Sequence, residues 1–230
     1  ENDIVTGIIQ RMENKNVYID LGKAEAILTP NEQIPGEIYQ YHDRMKTYIV
    51  EVKKTSKGPQ IMVSRTHPGL LKRLFELEVP EIHDGLVEIK SVAREPGMRS
   101  KISVYTKDEN IDPVGACVGH KGMRVQTIVN ELRGEKIDIV KYSSEPDQYV
   151  ANALSPAKVV STEVLEEEKI CRVIVPDYQL SLAIGKEGQN ARLAAKLTGW
   201  KIDIKSESQA AEEAEQGAQE VGVAYEADED

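Results

Sequence analysis

Two loops with the same frame decide the fold: Gly119-His120-Lys121-Gly122 and, 66 residues later, Gly185-Lys186-Glu187-Gly188. With 16 glycines in 230 residues, a Gly-x-x-Gly tetrad arises about once by chance, so either tetrad alone carries little information. The following sequence sets them apart, because residues 132–139 and 197–204 both spell Leu-x-Gly-x-Lys-Ile-Asp-Ile. A repeat of this length is the size of a small domain and predicts two copies of one module.

The residues around each tetrad predict the same order of helices and strands. After Gly122, the apolar residues Val125, Ile128 and Leu132 recur at helical spacing, and Gly134 is placed to end that helix. Both copies are predicted to run helix, strand, strand, helix, Gly-x-x-Gly, helix, strand. We expect two α+β modules, spanning 67–142 and 143–206.

The chemistry of such a loop suits a polyanion. Glycine at both ends lets backbone N–H groups approach a phosphate closely, and the N-terminus of the next helix favours negative charge. This is the arrangement of the KH module, whose Gly-x-x-Gly loop holds about four nucleotides of a single strand; the alternative is a plain tight turn between helices. The candidate RNA-binding residues are Gly119, His120, Lys121, Gly122 and Arg124 in the first copy, and Gly185, Lys186, Glu187, Gly188, Gln189, Asn190 and Arg192 in the second. Because Glu187 offsets Lys186, we expect the second loop to bind RNA less strongly.

Residues 1–66 have the pattern of a small all-β domain. Five short strand candidates are separated by turns, and Val17 and Ile19 alternate with Tyr18. Five such strands suit a closed five-stranded barrel of the OB type, and the stretch 18–22 (Tyr-Ile-Asp-Leu-Gly) resembles the S1-type RNA-binding barrel. Further candidate RNA contacts are Tyr18, His42, Lys53, Lys54 and Lys57. The alternative for the lysines is a solvated hairpin edge that discourages aggregation.

The net charge of −10 is concentrated at one end of the chain. From Ser206 to Asp230 there are nine acidic residues and no lysine or arginine, which leaves 30 of the 39 acidic residues against 29 basic ones in the rest. The preceding domains can therefore carry basic patches. The tail, 207–230, has no apolar face, and we expect it to be disordered.

The sequence lacks the motifs of catalytic, cofactor and metal sites and those of secreted or membrane proteins. The sequence has no P-loop or dinucleotide fingerprint, no nucleophile–base pairing and no metal-ligand spacing, so we expect no enzyme, cofactor or metal. Two cysteines, Cys117 and Cys171, lie in apolar stretches, as buried residues of a reducing cytoplasm do. No signal peptide or membrane span is evident, and we expect a cytoplasmic protein with no membrane partner. We also expect a monomer.

The order of the domains adds a resemblance of its own. A barrel followed by two KH modules resembles the NusA family of bacterial transcription factors, as do residues 64–70, 112–119 and 175–192. The resemblance covers about residues 1–205. It implies an RNA-binding region that modulates pausing, termination and antitermination by binding nascent single-stranded RNA along a continuous barrel–KH–KH surface. It also implies that RNA polymerase is contacted mainly through an N-terminal domain absent from this chain, with other elongation or antitermination factors as possible partners.

Two other functions are compatible with part of the pattern. The RNA-tethering end of a phosphorolytic exoribonuclease also combines KH and S1-type modules, but there one KH module precedes the barrel. The other function is a protein-interaction scaffold whose KH loops no longer bind RNA. The negative charge of Glu187 leaves this alternative open for the second copy.

Overall fold

The computed structural model describes the backbone of residues 1–226 and the side chains of residues 1–217. The chain divides into two compact units, Glu1–Val140 and Lys141–Asp230. The first unit holds the barrel and the first KH module, and the second holds the second KH module and the tail.

The N-terminal domain is a closed barrel of five strands, as predicted. β4 pairs antiparallel with β1 to close the barrel, while β3 and β5 pair in parallel, giving the order β1-β2-β3-β5-β4. Val17, Ile19 and Leu28 are fully buried inside it, because alternate residues of a strand point to the same face. The strands are β1 (Ile4–Glu13), β2 (Asn16–Asp20), β3 (Glu25–Leu28), β4 (Arg44–Thr55) and β5 (Gly58–Ser64).

The first KH module packs its helices on a three-stranded sheet with the order β6-β7-β8. Its core includes Phe75, Ile102 and Cys117, and burial raises the pKa of the Cys117 thiol to about 12. The predicted order of helices and strands is confirmed, with one short helix added after Val79, where Pro80 occupies the first turn. The elements are α1 (Pro68–Glu78), α2 (Pro80–His83), β6 (Glu88–Glu95), β7 (Arg99–Tyr105), α3 (Pro113–Val118), α4 (Met123–Glu131) and β8 (Lys136–Lys141).

Arg65 joins the barrel to the first KH module. Its fully buried guanidinium forms two hydrogen bonds of 3.0 Å with the Glu37 carboxylate and donates to the Lys46 carbonyl at 2.9 Å. The same group reaches α4, where it donates to the carbonyl of Glu131 at 3.1 Å and pairs with its carboxylate at 3.3 Å. A buried charge needs this many partners to offset the loss of water.

The second KH module has the same order of helices and strands as the first, without a counterpart of α2. Its sheet runs β11-β10-β9, with β10 antiparallel to β9 and parallel to β11. A 3-10 turn at Asp177–Gln179 leads into α6. The elements are α5 (Pro146–Ala153), β9 (Ser161–Leu165), β10 (Ile170–Val175), α6 (Leu180–Ile184), α7 (Gln189–Thr198) and β11 (Lys201–Ser206).

The tail corrects one expectation. Instead of being disordered, Glu207–Glu226 form a helix, α8; residues 227–230 of the predicted tail lie outside the described residues. Ser206 and Gln209 satisfy each other's backbone N–H groups at 3.2 and 3.0 Å, which is a capping box, and the alanines and glutamates that follow favour helix. Asp177 also accepts hydrogen bonds from the N–H and hydroxyl of Ser208.

Two further observations concern the described part of the chain. Within residues 1–226, no helix has the length and apolar character needed to cross a lipid bilayer. Among the described side chains, no group of three or more His, Cys, Asp or Glu residues is placed to hold a metal ion.

Candidate nucleic-acid interface

The two Gly-x-x-Gly loops have the same backbone conformation. Gly119 has φ 79° and ψ 173°, and Gly185 has φ 80° and ψ 169°. The third residue of each loop, Lys121 or Glu187, lies in the left-handed region at φ 53° and 55°. Each loop ends on a left-handed glycine, with φ 73° in the first copy and 75° in the second. The repeat seen in the sequence is therefore a repeat of geometry.

The first glycine of each loop is needed for packing within the module. A Cβ at Gly119 would lie 2.6 Å from Cγ of Arg124, and a Cβ at Gly185 would lie 2.7 Å from the backbone nitrogen of Asn190. Both distances are too short for real atoms. The first glycine thus lets the loop fold back onto the helix that follows it.

The last glycine of each loop faces open space. A Cβ at Gly122 would meet nothing within 4 Å, and one at Gly188 would meet only a guanidinium nitrogen of Arg192 at 3.9 Å. Packing does not require a glycine here, although the left-handed backbone favours one. The open side is where a phosphate could approach the backbone closely.

Arg124 and Asn190 occupy equivalent positions and both hold the loop's helices together. Arg124 pairs with Glu81 at 2.8 Å and donates to the carbonyl of Ala116 at 2.7 Å. Asn190 is buried and donates to the carbonyls of Leu154 and Ala183 at 3.0 and 2.9 Å. Of the two, only Arg124 is partly exposed, so Asn190 lies outside the surface that a ligand could reach.

The remaining candidates of the second loop lie at the start of α7. Arg192 is exposed and donates to the carbonyl of Glu187 at 3.0 Å, which links the loop's third residue to α7. Gln189 is half-buried, and its amide nitrogen has no hydrogen-bond partner among the described residues. Its counterpart in the first copy, Met123, is 65% exposed.

The charge differs between the two loops. His120 and Lys121 are both exposed in the first loop, as are Lys186 and Glu187 in the second. Because Glu187 takes the place of Lys121 in an otherwise identical backbone, the second loop presents one cation and one anion where the first presents Lys121 beside a histidine.

The candidate RNA contacts of the barrel lie on different elements. Tyr18 lies on β2 beneath the guanidinium of Arg11, which is 4.2 Å from the ring centroid and also pairs with Glu25 at 3.2 Å. The β2 strand is not adjacent to β4 in the barrel. His42 has a φ of 71°, and its ring packs edge to face on that of Tyr41, with 3.9 Å between the ring centroids. The exposed lysines, which share the β4–β5 hairpin, are Lys53, Lys54 and Lys57.

Three family models match the chain in the order of its domains. The S1 RNA binding domain matches residues 1–64, the NusA-like first KH domain matches residues 65–142, and the NusA-like second KH domain matches residues 146–212. The last match includes the start of α8, beyond the boundary at 206 that the sequence predicts.

Curated relatives match nearly the whole chain. The transcription termination/antitermination protein NusA of Halalkalibacterium halodurans is 72% identical over 212 residues, covering 92% of this chain and 56% of the relative. NusA of Bacillus subtilis is also 72% identical, with 92% and 57% covered, and NusA of Thermus thermophilus is 51% identical, with 88% and 52% covered. The chain thus spans about half the length of these relatives. On these matches, the chain belongs to the NusA family, of which it contains the S1 domain and both KH domains.

Proposed function

We propose that this chain is the RNA-binding region of a transcription elongation factor, and that it holds nascent single-stranded RNA at its Gly-x-x-Gly loops. The observation that carries the proposal is the common backbone of the two loops, in which Gly119 and Gly185 match within 4° in ψ and 1° in φ. The third residue of each loop, Lys121 or Glu187, is held in the left-handed region that side chains rarely adopt, and such strained positions cluster at ligand-binding sites.

Each loop would act on the RNA backbone. The open side of Gly122 or Gly188 admits a phosphate, while the N-terminus of α4 or α7 supplies a favourable dipole. His120 and Lys121 add positive charge to the first loop. Lys53, Lys54 and Lys57 of the barrel hairpin would attract the same strand without reading its sequence.

The relatives are transcription termination/antitermination proteins, and this extends the proposal from RNA binding to the control of transcription. We infer that RNA binding by this region modulates pausing, termination and antitermination by RNA polymerase, in company with other elongation or antitermination factors. In this role the chain acts by binding and not by catalysis.

The test replaces the interior of each loop by two aspartates, as His120→Asp with Lys121→Asp, and as Lys186→Asp with Glu187→Asp. Affinity for an unstructured 12-nucleotide RNA is measured by fluorescence anisotropy at low salt. Because charge-assisted contacts are worth roughly 1.5–3 kcal/mol, we expect each variant to weaken binding at least about tenfold and the combined variant at least about a hundredfold.

A matched control adds negative charge away from the loops. Lys72 on α1 and Lys107 after β7 are both exposed, and Lys72→Asp with Lys107→Asp should leave affinity near that of the parent chain. Undiminished affinity in the combined loop variant would refute the proposal and favour a protein-interaction scaffold. An affinity that does not fall with rising salt would exclude phosphate contacts as its source.

A further inference from the structure

An exposed apolar stripe leads along α6 of the second KH module to its loop. Tyr178, in the 3-10 turn before α6, is 80% exposed, and Leu182 is 42% exposed. Single exposed apolar residues are ordinary on a protein surface, but these two are four residues apart, and Gly185 follows three residues later. All three positions therefore lie on one side of the helical segment, and Tyr178 is roughly 10 Å from the loop along its axis.

The first KH module has no such stripe. At the positions 66 residues earlier, Asp112 replaces Tyr178 and Ala116 replaces Leu182. An acidic and a small residue offer neither a flat apolar face nor an attractive charge to a nucleic acid. The two modules therefore share a loop geometry and differ in the surface beside it.

Tyr178 is held by its neighbours along the chain while its ring faces solvent. Asp177 accepts hydrogen bonds from the N–H and hydroxyl of Ser208 at the start of α8. Gln179 accepts a hydrogen bond from the N–H of Lys158 at 2.9 Å through its side-chain oxygen. With the residues on both sides anchored, the backbone of Tyr178 is positioned before any ligand binds, which lowers the cost of ordering it.

We propose that Tyr178 is a stacking platform for an unpaired base of the RNA strand whose phosphates are held at Lys186, with Leu182 against the edge of that base. This proposal rests on the proposed function of the loop. An aromatic ring stacks on any base, and single-stranded nucleic acids are recognised by combining such platforms with a positive groove. The second module thus compensates by base contact for the charge that its loop lacks.

The surface favours a base over a protein partner. A stable protein interface buries about 800 Å² on each side, far more than Tyr178, Leu182 and Ile184 can offer together. The loop that follows the stripe carries Lys186, and Arg192 donates to its Glu187 carbonyl at 3.0 Å, so both cations belong to the loop region and suit an anionic ligand. An exposed aromatic ring followed along the same segment by a loop with two cations matches the alternating base and phosphate of a single strand.

The test compares two probes of equal length: an unstructured 12-nucleotide RNA and a ribose-phosphate oligomer without bases. Both are measured in the full chain carrying the aspartate pair at His120 and Lys121, so that the second module carries more of the binding. Since stacking is worth about 1–3 kcal/mol per base, Tyr178→Ala should weaken RNA binding at least about fivefold. The same variant should leave affinity for the base-free oligomer unchanged, and Tyr178→Phe should retain RNA binding.

Leu77→Ala is the matched control, since Leu77 is a 60% exposed apolar residue on α1 of the other unit. RNA carrying 5-iodouridine should crosslink to Tyr178 on illumination, with the adduct identified by mass spectrometry. Unchanged RNA affinity in Tyr178→Ala, or an equal loss on both probes, would overturn the proposal. If the loop aspartates weaken binding while Tyr178→Ala does not, the proposed function stands and only the platform fails.

Discussion

The two glycines of each loop have different structural roles: the first is required for packing, and the last leaves one side of the loop open. Gly185 combines φ 80° with ψ 169°, a region that only glycine populates, and its Cβ would collide with Asn190. Gly188 lies in the ordinary left-handed region, with open space where its Cβ would be. Lys121 and Glu187 show that this fold tolerates a side chain in the left-handed region at the neighbouring position.

Alanine at these two positions should therefore give unequal results. We expect Gly185→Ala to destabilise the second KH module by about 3 kcal/mol, and Gly188→Ala by only about 1 kcal/mol. Gly188→Ala should nevertheless weaken RNA binding, because its methyl group occupies the open side of the loop. Urea unfolding followed by circular dichroism, with RNA affinity measured in parallel, checks both expectations. Equal destabilisation by the two variants would contradict this division.

The hydrogen-bond partners of the residues beside the loops could not be predicted from the sequence. The sequence placed Arg124 and Asn190 beside the loops but could not reveal their partners: Glu81 is 43 residues before Arg124, and Leu154 is 36 residues before Asn190. Such contacts depend on how distant segments meet. The proposed role of Tyr178 could have been predicted from the sequence. It stands four positions before Leu182 and just ahead of the tetrad, and this spacing places the two side chains on one face of a helix.

At the scale of elements, periodicity and turn residues predicted the order of both KH modules, because their apolar patterns match their structures. The helix α8 is not predicted from periodicity, because the tail has no apolar face. Its start does carry a signal: Ser206 and Gln209 have capping-box spacing, and both form its hydrogen bonds. Lys205 then pairs with Glu213 at 2.6 Å, which attaches the second turn of the helix to β11.

The start of α8 should respond to acid through Asp177. Hydrogen bonds from Ser208 lower the pKa of this carboxyl, so its contribution to stability is present above the unfolded-state pKa of aspartate. That contribution is lost as the pH falls through the lowered folded-state pKa. We expect helical circular dichroism at 222 nm to decrease over this acid range, and to decrease less in Asp177→Asn, which cannot titrate there. Identical acid profiles for the two proteins would show that Asp177 does not hold α8.

At the scale of the molecule, the two compact units should differ in what destabilises them. Arg65 lies wholly inside the first unit, where its side chain is fully buried and neutralises a Glu37 side chain that is only 2% exposed. Arg65→Met would leave that carboxylate buried without its cation. Removing one partner of a buried pair typically costs about 3–5 kcal/mol, so the barrel and the first KH module should both lose stability.

The single tryptophan allows this prediction to be read separately for each unit. Trp200 belongs to the second unit, so its fluorescence follows that unit alone, whereas far-UV circular dichroism follows both. In urea, Arg65→Met should shift the early part of the dichroism transition to lower concentration and leave the fluorescence midpoint unchanged. Arg11→Met is the control, because the Arg11–Glu25 pair is exposed and such pairs contribute at most about 1 kcal/mol. A fluorescence midpoint that moves together with the dichroism would mean that the second unit depends on the first for its stability.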